Sequence, residues 1–137
     1  MSVLFPLILV SAMQTAAPVV QVVSRDMMSQ IEEPTQVVAR NPVEWAALWR
    51  DHAGDKPVPT VDFTSRMVVA IFLGTRSSAG YSVDVTRIRP ADGSLIVEWQ
   101  ERRPAKGEVS AQVMTSPAAI VTVPKFDGKI TFAKVER

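Results

Sequence analysis

A chain of 137 residues with 47% hydrophobic residues, 21% charged residues and a formal net charge of +1 fits one globular domain, and excludes both a disordered chain and a general nucleic-acid-binding field. It holds no cysteine and one histidine, His52. That excludes disulfides, thiolate metal sites, cysteine nucleophiles, a lipidated cysteine and a histidine-rich metal centre within these residues.

Met1 to Ala17 carries no charge. Val3 to Val10 is apolar, and small residues follow at Ala12, Thr15, Ala16 and Ala17, the pattern of a secretory signal and its cleavage site. The run is too short for an ordinary transmembrane helix. Residues 1–17 are therefore expected to be a signal peptide and 18–137 a single domain. The mature chain is expected to be periplasmic or secreted, without a membrane span.

Val19 to Val23 reads as a first strand, and Glu33-Pro34 marks a turn before a short strand, Thr35 to Ala39. Asn41-Pro42-Val43-Glu44 is a helix start: Asn41 can cap, Pro42 suits the first helical position, and Glu44 follows three residues after the cap. Trp45, Leu48 and Trp49 make one apolar stripe, and Gly54 suits the C-terminal stop, so a helix is expected over 42–52. A loop follows to Thr60.

Met67 to Leu73 is apolar on both alternating faces and β-branched at Val68, Val69 and Ile71, which predicts a central strand covered on both sides. Gly74 ends it. After a short polar loop, Tyr81, Val83 and Val85 alternate with polar residues to about Ile88, so the two runs form a hairpin candidate. Asp92-Gly93 is a further hairpin signal. It leads into a half-buried strand at Leu95, Val97 and Trp99. Glu101 to Glu108 is a charged loop. Val109, Ala111 and Val113 alternate as a strand would. Thr115-Ser116-Pro117 breaks the pattern, and Ala119 to Val123 and Ile130 to Val135 are the last two strands, separated by Asp127-Gly128. Seven or eight strands and one helix predict an α+β domain: a mainly antiparallel sheet, as a curved sheet, a partly open barrel or a sandwich, with one packed helix.

Four stretches standing in this order resemble the PrcB C-terminal domain family: E-W-A-A-L-W at Glu44 to Trp49, V-D-F-T-S-R-M-V-V-A at Val61 to Ala70, G-T-R-S-S-A-G-Y at Gly74 to Tyr81, and T-S-P at Thr115 to Pro117. The resemblance runs from about Gln30 to Phe132. The family is named for a protease-complex subunit, and its members are small bacterial exported or lipoprotein-type proteins. The resemblance implies a non-catalytic module that binds and stabilises a protein partner, with a protease complex as the partner class.

The loop from Gly74 to Tyr81 is the candidate binding surface. Arg76 offers a fork donor for a carboxylate, and Ser77 and Ser78 beside Tyr81 offer adaptable contacts; Thr115 and Pro117 join them through the family resemblance. The same residues also read structurally, with Arg76 paired to a neighbouring acid and Tyr81 packed on the sheet. The loop lacks the lysine-serine end and the following helix of a phosphate-binding loop. Ser77 or Ser78, His52, and Asp55 or Asp62 supply the residue types of a hydrolase triad, but no G-x-S-x-G surrounds either serine, and His52 reads as a cation at a helix C-terminus. The aspartates lack calcium-loop spacing. Trp45 and Trp49 read as core. The cluster Arg102, Arg103, Lys106 is offset by Glu98, Glu101 and Glu108, so nucleic acid is not an expected partner. No enzyme activity, metal or cofactor is expected. The alternative function is binding of a small ligand or envelope polymer on the sheet face around Trp99 and Tyr81.

Overall fold

The structure, a computed structural model, describes residues 19–136; the segment read as a signal peptide lies outside them. The elements in order are β1 (Gln21–Asp26), β2 (Thr35–Ala39), α1 (Pro42–Ala53), β3 (Arg66–Phe72), β4 (Ser82–Ala91), β5 (Ser94–Arg102), β6 (Ala118–Pro124) and β7 (Lys129–Lys134). They form a four-stranded sheet, β1-β6-β3-β2, and a three-stranded sheet, β4-β5-β7. Every pairing is antiparallel except β5 with β7, which is parallel. This is an α+β fold with no closed barrel: the helix packs on one face of the larger sheet and the smaller sheet on the other.

The double burial of β3 follows from the two-residue period of a strand. Val68, Ala70 and Phe72 meet Trp45, Leu48 and Trp49 of the helix. Met67, Val69 and Ile71 point the other way, into the groups packed under the second sheet with Leu95, Val97 and Val83. β6 alternates in the same way, with Ile120 toward the helix and Val121 and Val123 toward the second sheet. Each such fully buried aliphatic side chain is worth about 1.5–3 kcal/mol relative to exposure, so these two strands hold the three layers together.

The helix starts as its sequence dictates. The Asn41 side chain accepts from the Glu44 N–H at 2.9 Å, and the Glu44 carboxylate accepts from the Arg40 N–H at 2.9 Å, which satisfies two donors at the helix start. Gly54 takes φ +68° and its N–H closes onto the Arg50 carbonyl at 2.9 Å. Trp45 and Trp49 are buried and donate their indole N–H groups to the carbonyls of Pro59 and Lys56 at 2.8 and 2.9 Å, which fastens the loop after the helix. At the other end of the sheet the Arg40 guanidinium donates to the carbonyls of Phe126 and Gly128, so the end of β2 is tied to the turn between β6 and β7.

Two expectations are corrected. β3 and β4 are not a hairpin: the chain leaves the first sheet after Leu73 and enters the second at Ser82. Val109 to Val113 is not a strand either. Single backbone bonds from Ala79 and Val113 to the Ala111 carbonyl replace a ladder there, and Val109 stands 98% exposed. No helix among the described residues is long and apolar enough to cross a membrane.

Candidate functional site

The connector between the sheets, from Gly74 to Tyr81, is held by two other connectors. Arg76 and Thr115 exchange backbone hydrogen bonds at 2.7 and 2.9 Å, and the Ala79 N–H donates to Ala111 at 2.9 Å. The Thr115 hydroxyl donates to the Ser78 carbonyl at 3.0 Å. On the far side, Ser116 donates to the Met27 carbonyl at 2.8 Å and Ser29 to the Ser116 carbonyl at 3.0 Å. Three loops thus pair backbone to backbone at one end of the domain, which satisfies polar groups that would otherwise be stranded where the sheets part. Gly74 is needed here: at φ +79° it lies against Pro34, and a Cβ would come within 2.8 Å of the proline ring.

Arg76 sits at the centre. Its Nε donates to Glu101 Oε2 at 3.0 Å, and another guanidinium nitrogen donates to the Leu73 carbonyl at 3.0 Å. The guanidinium carbon lies 5.7 Å from the Tyr81 ring centre. The Glu101 side chain is only 3% exposed, and Lys134 approaches its other oxygen at 3.3 Å. Burial alone would raise the Glu101 pKa, but the hydrogen bonds and charges of Arg76 and Lys134 outweigh it and hold the carboxyl below its ordinary value.

Of the six predicted site residues, Arg76, Ser78, Tyr81 and Thr115 come together in this cluster. Ser77 is exposed beside them. Thr115 and Pro117 are buried, the latter accepting the Leu73 N–H at 3.0 Å, so both support the loop from beneath. Sequence reasoning missed Glu101, which lies 25 residues from Arg76 in sequence and was read as part of a solvated loop. It also missed an apolar surface. Met28 and Met114 are 65% and 68% exposed, and Met27 and Val113 are exposed too; the pairing of Met27 with Ser116 carries them to the same end. The signal available was the methionine pair itself, since methionine is favoured at adaptable binding surfaces.

A hollow of about 210 Å³ beside Tyr81 is lined by Arg25, Asp26 and Asp84. Arg25 Nε stands 2.7 Å from Asp84 Oδ1 there, a close ion contact without hydrogen-bond alignment. Trp99 is half-buried, and the Lys134 ammonium lies 5.5 Å from its ring centre.

The residue types of a hydrolase triad named above are not brought together: His52 meets neither Ser77 nor Ser78. His52 is 1% exposed, and its Nδ1 lies 2.7 Å from the hydroxyl of Ser29, not of Ser77 or Ser78. Asp26 stands 3.8 Å from Nε2. Ser29 is itself 5% exposed and accepts the Ile31 N–H at 3.1 Å. A nucleophile must reach its substrate; this hydroxyl is sealed under the helix and joins the β1–β2 connector to it. The reading of His52 as a helix-end cation is corrected as well. Burial lowers its pKa, with Lys56 adding to the effect and Asp26 opposing it, so the ring is neutral at neutral pH. Among the described residues, no three side chains of ligand type converge on a metal position.

The fold and the loop cluster define a small two-sheet α+β module with an exposed apolar patch at its loop end. Residues 67–124 match the family model described as PrcB C-terminal, so the resemblance read from the sequence is shown for the stretch from β3 to β6, loop cluster included. The E-W-A-A-L-W helix lies outside the matched stretch. No curated protein matches the chain, and no solved structure does.

Proposed function

We propose that this chain is a non-enzymatic, exported module that binds and stabilises a protein partner, and that the partner is a component of a protease complex. The observation that carries the reading is the loop end. Three connectors are locked together there by backbone pairing, and they present Ser77 with exposed Met27, Met28, Val113 and Met114 on a pre-organised base. Pre-organised loops lose little freedom on docking, and exposed methionines adapt to a partner's contour. The match to the PrcB C-terminal model over residues 67–124 supports this choice of partner class through the family resemblance. The geometry favours a protein over the alternative of a small ligand: the hollow beside Tyr81, at about 210 Å³, falls below the roughly 300–1,000 Å³ of typical small-molecule sites, and Lys134 already sits over Trp99.

The test is affinity capture of the full chain from the envelope fraction, beside Ser77→Arg and Met114→Asp. A stoichiometric protease-complex component, lost with both variants at an unchanged melting temperature, supports the reading. A bound small molecule in place of a protein, or a partner indifferent to both changes, overturns it. Export is tested by mass spectrometry of the protein from separated cytoplasmic and envelope fractions: an N-terminus between Ala16 and Val20 is expected, and cytoplasmic protein retaining Met1 overturns it.

A further inference from the structure

The four outer strands of the two sheets are not equally defended. An edge strand offers unpaired N–H and C=O groups to any passing chain, and proteins blunt such edges with bulges, prolines and charges. β1 has a bulge between Val22 and Ser24 and carries Arg25. β4 has a bulge between Val85 and Arg87, together with Arg89 and Pro90. β7 begins and ends on lysine. β2, five residues long and flanked by Pro34 and Arg40, has no bulge, proline or charge within it: its register with β3 runs unbroken from Thr35 to Ala39, and its sequence is Thr-Gln-Val-Val-Ala. Among the described residues, its backbone makes no hydrogen bond outside its ladder with β3. Half the backbone groups of an antiparallel edge strand point away from its neighbour, and Thr35 to Val38 remain exposed or half-buried while Ala39 is buried.

The space beside this edge is shaped. A groove of about 520 Å³ runs between the β2 edge and the flank of α1. Val37 and Val38, which lie on opposite faces of the sheet, both line it, so it wraps the edge itself. The opposite wall is the helix stripe Glu44, Ala47, Leu48 and Asp51. Its middle is apolar and its two ends are acidic, about 10 Å apart at 1.5 Å per helical residue. Neither acid takes part in an ion pair among the described residues.

We propose that this groove takes an extended peptide from a protein partner, added as a fifth strand beside β2. The peptide carries β-branched or aromatic residues at alternate positions and a lysine or arginine on either side of them. The backbone of β2 supplies main-chain hydrogen bonds, the Val37–Leu48 cleft takes alternate side chains, and Glu44 and Asp51 select the flanking cations. The acids also argue against a second copy of this chain as the occupant, since two β2 edges meeting antiparallel would bring the acidic stripes of both copies to one seam. The groove uses residues other than those of the loop end, so the two surfaces can be tested separately.

The test is selection of a random octapeptide library on the full chain. Enriched peptides are expected to alternate apolar β-branched or aromatic residues and to carry flanking Lys or Arg. Their affinity is expected to fall at least tenfold on Ala47→Arg, which fills the groove from an exposed helix position, and on Asp51→Lys, which reverses one selecting charge. Ser77→Arg should leave it unchanged. Melting curves of each variant confirm the fold. No enriched peptide, or peptides indifferent to Ala47→Arg, would overturn the proposal. Peptides lost on Ser77→Arg alone would overturn it while upholding the loop end as the binding surface. Sedimentation showing a dimer that Ala47→Arg dissolves would assign the edge to a second copy instead.

Discussion

Arg76, on the connector out of the four-stranded sheet, donates to Glu101 on the central strand of the three-stranded sheet at 3.0 Å, so one ion pair spans the junction between the layers. The acid is nearly enclosed while the arginine is 27% exposed. Removing the arginine leaves Glu101 with Lys134 and a more distant Arg103. Arg76→Ala should therefore cost about 1–3 kcal/mol in a urea titration, less than the roughly 3–5 kcal/mol of a fully orphaned buried charge. A loss below about 0.5 kcal/mol would show that Lys134 suffices and that Arg76 is free to serve a partner.

The depressed Glu101 pKa carries a sign. Because the folded state holds the carboxyl below its ordinary 4.5, the stabilisation is complete above that pH and is lost as acid protonates the folded group. Glu101→Gln should lose stability at neutral pH and show a shallower decline in melting temperature below that value. An unaltered acid limb would refute the assignment.

His52 acts in a higher window. The unfolded chain binds its proton near the ordinary 6.5, and the folded chain resists it. Stability from this group is therefore full above that pH and falls as the pH drops toward the folded pKa. The melting temperature should decline as the pH falls below the ordinary 6.5, with a smaller slope in His52→Gln. Equal slopes would mean that the ring charges without penalty.

Trp49 is 8% exposed, packs tilted against Trp45 at 5.5 Å between ring centres, and anchors Lys56. Trp49→Ala should cost about 3–5 kcal/mol. Trp49→Phe should retain most of that and lose chiefly the indole hydrogen bond, about 1 kcal/mol. A denaturant series on both variants separates packing from the bond; equal losses would contradict it.

Gly74→Ala should destabilise by about 1–3 kcal/mol, since a positive φ is unfavourable for alanine and Pro34 stands in the way of the new methyl group. Gly93, also at positive φ but with open space around it, is the control: Gly93→Ala should show the backbone cost alone. If the two variants lose equal stability, the proline contact is immaterial.

What the sequence revealed divides along a physical line. The helix was readable nearly to its last residue because Asn41, Pro42, Glu44 and Gly54 act locally, through bonds to neighbours a few positions away. β3 was readable as doubly covered because its apolar pattern has no polar face. Sheet membership was not readable: alternation at Tyr81, Val83 and Val85 says that one face is buried and does not say against which neighbour. The parallel pairing of β5 with β7 and the irregular path of Val109 to Val113 were hidden for the same reason. At the loop end, the Gly74–Tyr81 stretch stood out by its residue types, but Glu101 and the hydrogen bond from Ser29 to His52 join residues far apart in the chain, and no spacing rule connects them.

The position of β6 has a consequence for the order in which the protein is made. β6 lies between β1 and β3, yet it is synthesised after five of the other six strands. Until Ala118 to Pro124 emerges, β1 has no neighbour in its sheet and β3, apolar on both faces, has one bare edge. The pairing that completes the sheet joins Gln21 to Thr122, a separation that spans most of the chain and makes closure slow relative to local helix formation. A nascent chain stopped after Arg102 would therefore display its stickiest strand, and such fragments should aggregate rather than fold. Folding of this domain therefore waits on a late segment, because the last third of these residues supplies an inner strand of the larger sheet.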